Sequence, residues 1–226
     1  MALNDLVRQA PLFSALSDTD VHALQSMMTS THVARGSVLF REGDRGDRLY
    51  VIVSGKIKLG RASIDGRENL VAVLGPGELL GELTVFDPGD RNATATAIAN
   101  TELIGLTHEQ LAAFLPDHPQ VASALLASLA RRLRRTNDSL ADLVFTDVPG
   151  RVAKALIDLS HRFGQEIDDG LLVPHDLTQE ELAQLVGASR ETVNKALADF
   201  ATRGWIRLET RAVVLLDVER LTRRAH

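Results

Sequence analysis

Residues 177–195 read LTQEELAQLVGASRETVNK, and the spacing within this stretch decides how the C-terminal third of the chain folds. Thr178 is followed three residues later by Glu181, the pattern of a capping box that opens a helix. Leu182, Leu185 and Val186 then share one face of that helix. Gly187 supplies a left-handed turn at no steric cost, and Ser189 is placed to cap the next helix. Along this second helix Val193, Ala196, Leu197 and Phe200 recur at i, i+3, i+4 and i+7, an apolar stripe facing inward. Ala183 is small where two steeply crossing helices need a small side chain, and Val193 can lock the second helix onto the first. The reading is a helix-turn-helix. Just downstream, Trp205 to Leu208 and Ala212 to Leu216, separated by Glu209-Thr210-Arg211, predict a two-stranded wing.

The outward face of the second helix begins with Arg190, Glu191, Asn194 and Lys195, near the end that meets base edges when such a helix enters a major groove. Arginine pairs with guanine and glutamate accepts from cytosine, so the chemistry suits direct readout of double-stranded DNA. Thr178, Ser189 and Thr192 can donate to phosphates, together with backbone N–H groups at the two helix starts. A plainer alternative makes Glu191 and Lys195 an i, i+4 pair on a solvated helix, worth a few tenths of a kcal/mol. Charge gives no help: 25 Lys+Arg stand against 30 Asp+Glu, a net −5. From residue 147 onward the count is 11 against 13, so affinity for DNA must come from a few placed contacts rather than a basic surface.

Upstream, the helical pattern breaks at Asp147-Val148-Pro149-Gly150, because the residue before proline is pushed out of the α region and Asp147 can cap a new helix. Residues 151–163 resume a helix with Val152, Leu156 and Leu159 on one face, and short β-type runs at 165–167 and 171–173 come after Gly164. The longest helical pattern runs from Pro119 to about Phe145. Within it Ala122, Leu126, Leu129, Leu133, Thr136, Leu140 and Leu143 step by 4, 3, 4, 3, 4 and 3 residues. That is the seam of a parallel coiled coil, hence a homodimer, although a helix packed on its own domain would share the pattern. The run Arg131-Arg132-Leu133-Arg134-Arg135 reads as a solvated face.

The N-terminal half differs in texture. Ser17 with Asp20, then Val21, Leu24 and Met28, predicts a short helix. From about residue 33, β-type runs occur at Ser37 to Phe40, Leu49 to Val53, Lys56 to Leu59, Leu70 to Leu74, Ala93 to Ile98 and Glu102 to Leu106. Between them lie Gly36, Gly43, Gly46, Gly55, Gly66, Gly75, Gly77, Gly81 and Gly89, which suggests an antiparallel barrel or jelly roll. Thr107 with Gln110 opens another helical stretch, interrupted by Pro116 and Pro119. The expected division is a barrel domain over residues 1–119, a long helix and hinge over 120–146, and a winged helix-turn-helix over 147–226, an α+β architecture.

With no cysteine, disulfides, thiolate zinc sites and iron–sulfur ligation are excluded together. The seven histidines, at 22, 32, 108, 118, 161, 175 and 226, have no metal-pair spacing, so neither a metal nor catalysis is expected. The first residues lack the order of a signal peptide, and no apolar run approaches the roughly 20 residues of a membrane span. A soluble, cytoplasmic protein is the expectation.

These stretches resemble the cyclic AMP receptor protein family, most closely its actinobacterial members. The likeness runs from about residue 10 to the C-terminus and includes FTDVPGR at 145–151. A second diagnostic stretch, GELLGELTVFDPGDRNA at 77–93, is similar to the family's phosphate-binding cassette. Its chemistry is plain: a cyclic phosphate needs a fixed cation and free N–H donors, from Arg91 and the turns around Gly81 and Asn92, and a ribose hydroxyl can donate to Glu82. A Glu82 to Arg91 ion pair bracing the loop is the alternative. The resemblance implies cyclic AMP held by Gly81, Glu82, Leu83, Arg91 and Asn92, the last standing where the family often has serine or threonine. It implies base contacts from Thr136 and Asn137 across the dimer interface, although Thr136 could instead set coiled-coil register. It also implies Arg190, Glu191 and Lys195 on base edges of a palindromic operator, with Lys195 in place of a usual second arginine, and contact with RNA polymerase. Two rivals remain: a regulator of the same fold indifferent to nucleotide, and a cupin-type enzyme, which would need clustered histidine and carboxylate ligands inside the barrel.

Overall fold

The computed structural model describes residues 17–63, 68–87 and 89–225. Expectations that fall elsewhere, such as the turn at Gly66, lie outside the described residues. The chain forms two compact units, residues 1–68 with 72–134, and residues 69–71 with 135–226.

In the first unit, helix α1 (Asp18–Met27) precedes β1 (Thr29–Val33), β2 (Val38–Phe40), β3 (Arg48–Ser54), β4 (Ile57–Ala62), β5 (Glu68–Leu74) and β6 (Leu79–Leu80). Next come a one-turn helix α2 (Leu83–Phe86), β7 (Thr94–Ala97), β8 (Thr101–Thr107), α3 (His108–Phe114) and a 3-10 turn (Leu115–Asp117). The strands form two four-stranded sheets, ordered β1-β8-β3-β6 and β2-β7-β4-β5. Alternation along β3 explains the layering. Leu49, Val51 and Val53 pack with Val21 and Leu24 of α1, Leu111 and Phe114 of α3, and Val121 and Leu125 of the long helix. Ile52 points the other way, to a core it shares with Ile57, Leu59, Ala95 and Ala97 of the second sheet. Burial on both faces is why this strand reads as a continuous apolar run.

The six expected strands form, with ends shifted by a few residues. Two others escaped the sequence reading. In β1, TSTHV, only Val33 is buried, so the strand carries no alternation, and it is recruited by pairing from Thr29↔Gly105 to Val33↔Thr101. In β6 only two residues pair, Leu79 and Leu80 with Val51 and Tyr50.

The Thr107 capping box forms, with Gln110 N–H donating to Thr107 Oγ1 at 3.2 Å and Thr107 N–H to Gln110 Oε1 at 2.9 Å. Between this helix and the next, His118 lies flat on Phe114 at 3.7 Å, with Nδ1 2.9 Å from Phe114 O and Nε2 3.1 Å from Asp20 Oδ1. Only the imidazolium donates from both nitrogens, so the Phe114 carbonyl, and after it Asp20, raise the His118 pKa while burial opposes them. A raised folded-state value means the contribution is complete below the ordinary 6.5 and fades as pH rises through the folded-state value. Melting curves from pH 6 to 8 should therefore fall more steeply for the native chain than for His118→Gln; parallel curves would contradict the pairing.

Helix α4 (Pro119–Phe145) is continuous, and it buries Val121 and Leu125. On its seam Leu126, Leu133, Leu140 and Leu143 are 67, 62, 57 and 51 % exposed. The second unit continues with α5 (Val148–Phe163), β9 (Gln165–Ile167), β10 (Gly170–Val173), α6 (Gln179–Val186), α7 (Arg190–Thr202), β11 (Ile206–Glu209), β12 (Ala212–Leu215) and α8 (Val218–Arg224). Asp147 caps α5 as expected, accepting from Gly150 N–H at 2.9 Å. Val148 is nevertheless helical, because Pro149 sits in the first turn, where its missing N–H costs nothing.

The wing is half of a larger sheet, β11-β12-β10-β9, in which Leu171↔Leu215 to Val173↔Val213 join it to the preceding hairpin. Helix α8 was not expected from sequence. Seven residues with a single buried side chain, Leu221, have too little periodicity to read. The helix is anchored by Arg224 Nη2, which donates to both oxygens of Asp147 at 2.6 and 2.8 Å.

Candidate ligand pocket and nucleic-acid interface

In the first unit β6 is followed by Gly81, whose φ of +75° belongs to glycine. A Cβ there would sit 2.4 Å from Arg91 Nη1 and 3.0 Å from Arg48 O. The bare backbone thus lets the arginine lie against the turn. Arg91 is 5 % exposed. Its Nη1 donates to Gly81 O and to Thr84 Oγ1, both at 2.9 Å, and Nη2 donates to Arg48 O at 2.8 Å. Its guanidinium carbon stands 4.3 Å from the centre of the Phe40 ring. All three acceptors are neutral, and Nε finds no partner among the described residues. Burial pulls the guanidinium below its ordinary pKa, against the attraction of Tyr50, Asp47 and Glu82. A buried cation with neutral partners is an expensive arrangement unless an anion completes it.

Glu82, 2 % exposed, lies in the same pocket. Its Oε1 accepts from Arg132 Nη1 at 2.5 Å, while Oε2 is buried without a partner among the described residues. The bracing Glu82 to Arg91 pair does not form. Gly81, Glu82, Leu83, Arg91 and Asn92 all line this pocket. Thr136 and Asn137 lie on α4 within the second unit, both exposed.

Arg132 is the residue that the sequence reading missed. It was placed on a solvated face, yet it pairs with Glu82. The signal was there: Arg132 lies seven residues, two helical turns, beyond the buried Leu125 and so on the face of α4 that turns inward.

In the second unit the helix-turn-helix forms as its spacing requires. Glu181 N–H donates to Thr178 Oγ1 at 3.2 Å and Thr178 N–H donates to Glu181 Oε2 at 2.7 Å, the reciprocal box. Gly187 adopts φ 71°, ψ 43°, and Ser189 caps α7 by accepting from Thr192 N–H at 3.2 Å. Val193, Ala196, Leu197 and Phe200 are buried, as are Leu182, Ala183 and Val186 opposite them. Arg151 holds the turn from behind, donating to the carbonyls of Val186 at 3.0 Å and Gly187 at 3.2 Å, and to that of Thr146 at 2.8 Å.

Thr178, Ser189, Arg190, Glu191, Thr192 and Lys195 are all exposed. Glu191 and Lys195 pair with each other at 2.7 Å, the i, i+4 alternative, in the absence of DNA. Asn194 is half-buried, and its Nδ2 donates to Oε1 of the exposed Gln179 at 3.2 Å on the neighbouring helix. In the wing, Arg211 sits in the tight turn with a φ of 57°. Among the described residues no group of three or more histidine and carboxylate side chains is placed to hold a metal ion, and no helix is long and apolar enough to cross a membrane.

A pocketed double sheet followed by a long helix and a winged helix-turn-helix defines the class, a nucleotide-binding fold joined to a transcription-regulator fold. The cyclic nucleotide-binding domain family matches residues 30–118, and the Crp-like helix-turn-helix domain family matches residues 150–224. The chain is 52 % identical over 223 residues to the CRP-like cAMP-activated global transcriptional regulator of Mycobacterium tuberculosis, covering 99 % of this chain and 100 % of that one. It is 38 % identical over 216 residues to the cyclic AMP receptor protein of Thermus thermophilus, covering 93 % and 97 %. Among solved structures, the Thermus thermophilus catabolite activator protein aligns at TM-score 0.55 and 38 % identity, covering 95 % of this chain and 98 % of that one. The c-di-GMP responsive global regulator CLP of Xanthomonas campestris aligns at TM-score 0.76 and 26 % identity, covering 88 % and 99 %. The chain belongs to the cyclic AMP receptor protein family of transcription regulators.

Proposed function

We propose that this protein is a cytoplasmic, cyclic AMP-responsive transcription regulator that binds palindromic operators as a homodimer and acts by binding rather than catalysis. The observation that carries the reading is the pocket's pair of unmatched groups: Arg91 without a carboxylate and Glu82 with one free oxygen, both buried. A cyclic phosphate supplies the missing anion to Arg91, and a ribose hydroxyl donates to Glu82 Oε2 while Arg132 keeps Oε1. Gly81, Leu83 and Asn92 frame the phosphate and sugar, and Thr136 and Asn137 take the base across the dimer interface.

The working division is a nucleotide-binding domain over 1–119, a dimerisation helix and hinge over 120–146, and a DNA-binding domain over 147–226. The exposed leucine seam of α4 supports the homodimer. Arg190, Glu191 and Lys195 read base edges, with Thr178, Ser189 and Thr192 on phosphates, and the bound dimer contacts RNA polymerase. On DNA the Glu191–Lys195 pair opens, an exchange that costs a few tenths of a kcal/mol for an exposed pair. Ligand acts by binding one arrangement of the hinge better than the other.

Operator affinity measured with and without cyclic AMP tests the whole reading. Equal affinity in both would identify a nucleotide-indifferent regulator of the same fold, and the absence of binding heat at millimolar nucleotide would remove the ligand. For the readout, Arg190→Ala should lose about 1–3 kcal/mol of discrimination at one base pair of each half-site. Binding-site selection from random DNA checks it, and full retained discrimination would contradict the role.

A further inference from the structure

We infer that Phe40 is the positioning residue for Arg91, its ring holding the guanidinium so that the unpaired Nε edge is ready for an anion. The inference rests on the reading of the pocket as a phosphate-ester site and adds a residue outside the 77–93 stretch. Phe40 ends β2, whose pairing with Ala95 of β7 brings it beside the segment that carries Arg91. It is half-buried, it lines the pocket, and its own ring stacks on Tyr50 at 6.3 Å and 23°. The ring position is therefore set from below.

Of the five N–H bonds of Arg91, two on Nη1 and one on Nη2 are taken by Gly81 O, Thr84 Oγ1 and Arg48 O. Those bonds pin the edge of the guanidinium, and its central carbon lies over the Phe40 ring, 4.3 Å from the ring centre. Nε–H is buried and has no partner among the described residues. The π face is negative, so it offsets part of the charge that no carboxylate neutralises, and it does so without offering an acceptor that would compete with an incoming phosphate. A leucine would fill similar space but leave the cation uncompensated. A carboxylate would neutralise the cation and repel the ligand.

Cyclic AMP titrations of the full chain distinguish aromatic support from packing. Phe40→Leu should lose about tenfold in affinity, while Phe40→Tyr and Phe40→Trp stay within about threefold of the native chain. If leucine binds as tightly as phenylalanine, or if all three variants lose equally, the inference falls. A second readout needs no ligand. In the nucleotide-free protein the Arg91 Nε–H resonance, assigned by its loss in Arg91→Gln, should be shifted upfield by the ring current, and the shift should vanish in Phe40→Leu and persist in Phe40→Tyr. An unshifted resonance overturns the inference. Should the native chain bind no cyclic AMP, the functional reading fails on the titration, and the resonance still decides whether Phe40 holds Arg91.

Discussion

Arg91→Gln is expected to weaken cyclic AMP binding by about a hundredfold or more while the protein stays folded, since two charge-assisted hydrogen bonds of about 1.5–3 kcal/mol each go with the cation. The fold survives for a reason specific to this site. Arg91 is buried against neutral oxygens and a ring, and no carboxylate is left stranded when its charge goes. Its lowered pKa has the same origin, because desolvation already works against the charged form in the nucleotide-free protein. Glu82→Gln should cost less, about tenfold, since an amide still accepts from a ribose hydroxyl, although Arg132 then loses its 2.5 Å partner. Calorimetric titration paired with thermal melts separates binding from folding. Native affinity in Arg91→Gln would show that the phosphate is held elsewhere.

Leu133→Glu combined with Leu140→Glu is expected to convert the protein to a monomer and abolish high-affinity operator binding. Both leucines lie on the α4 seam and are more than half exposed in the single chain. In a symmetric parallel pair each change counts twice, so four side chains worth about 1.5–3 kcal/mol apiece are lost from the interface. Dimer dissociation should rise at least a thousandfold, before adding the cost of placing carboxylates in an apolar seam. Sedimentation at micromolar concentration reads the assembly directly. A dimer that survived both changes would mean that the α4 seam is not the interface. Changes at Leu125, which is buried in the core of the first unit, should destabilise the fold instead.

The helix-turn-helix was readable because its signals are short-range: a box from Thr178 to Glu181, a glycine at 187, a cap at 189 and a stripe of period 3.6 each constrain backbone within one turn. Six strands of the first unit were readable for the same reason, as apolar runs framed by glycines. The elements that were lost had no local signature. Strand β1 is polar and exists through its pairing with β8, and helix α8 buries one leucine and is anchored by Arg224 on Asp147, 77 residues away. Asn194 belonged to the outward face by periodicity, and its bond to the exposed Gln179 of the neighbouring helix is a contact that periodicity does not show.

The pocket divides in the same way. The resemblance of residues 77–93 to a phosphate-binding cassette named Gly81, Glu82 and Arg91 as groups that an ester of phosphate and ribose requires. Whether those groups meet each other or wait for a ligand depends on residues far along the chain: Arg132 takes one oxygen of Glu82 across 50 positions, and Arg48 with Phe40 holds Arg91. By itself, then, the sequence determined the element types, the helix-turn-helix and the chemical identity of the pocket's charges, because propensity, capping and glycine turns act over a few residues. Only the tertiary structure decided how those charges are paired, because burial and ion pairing depend on which distant side chains share a space from which water is excluded.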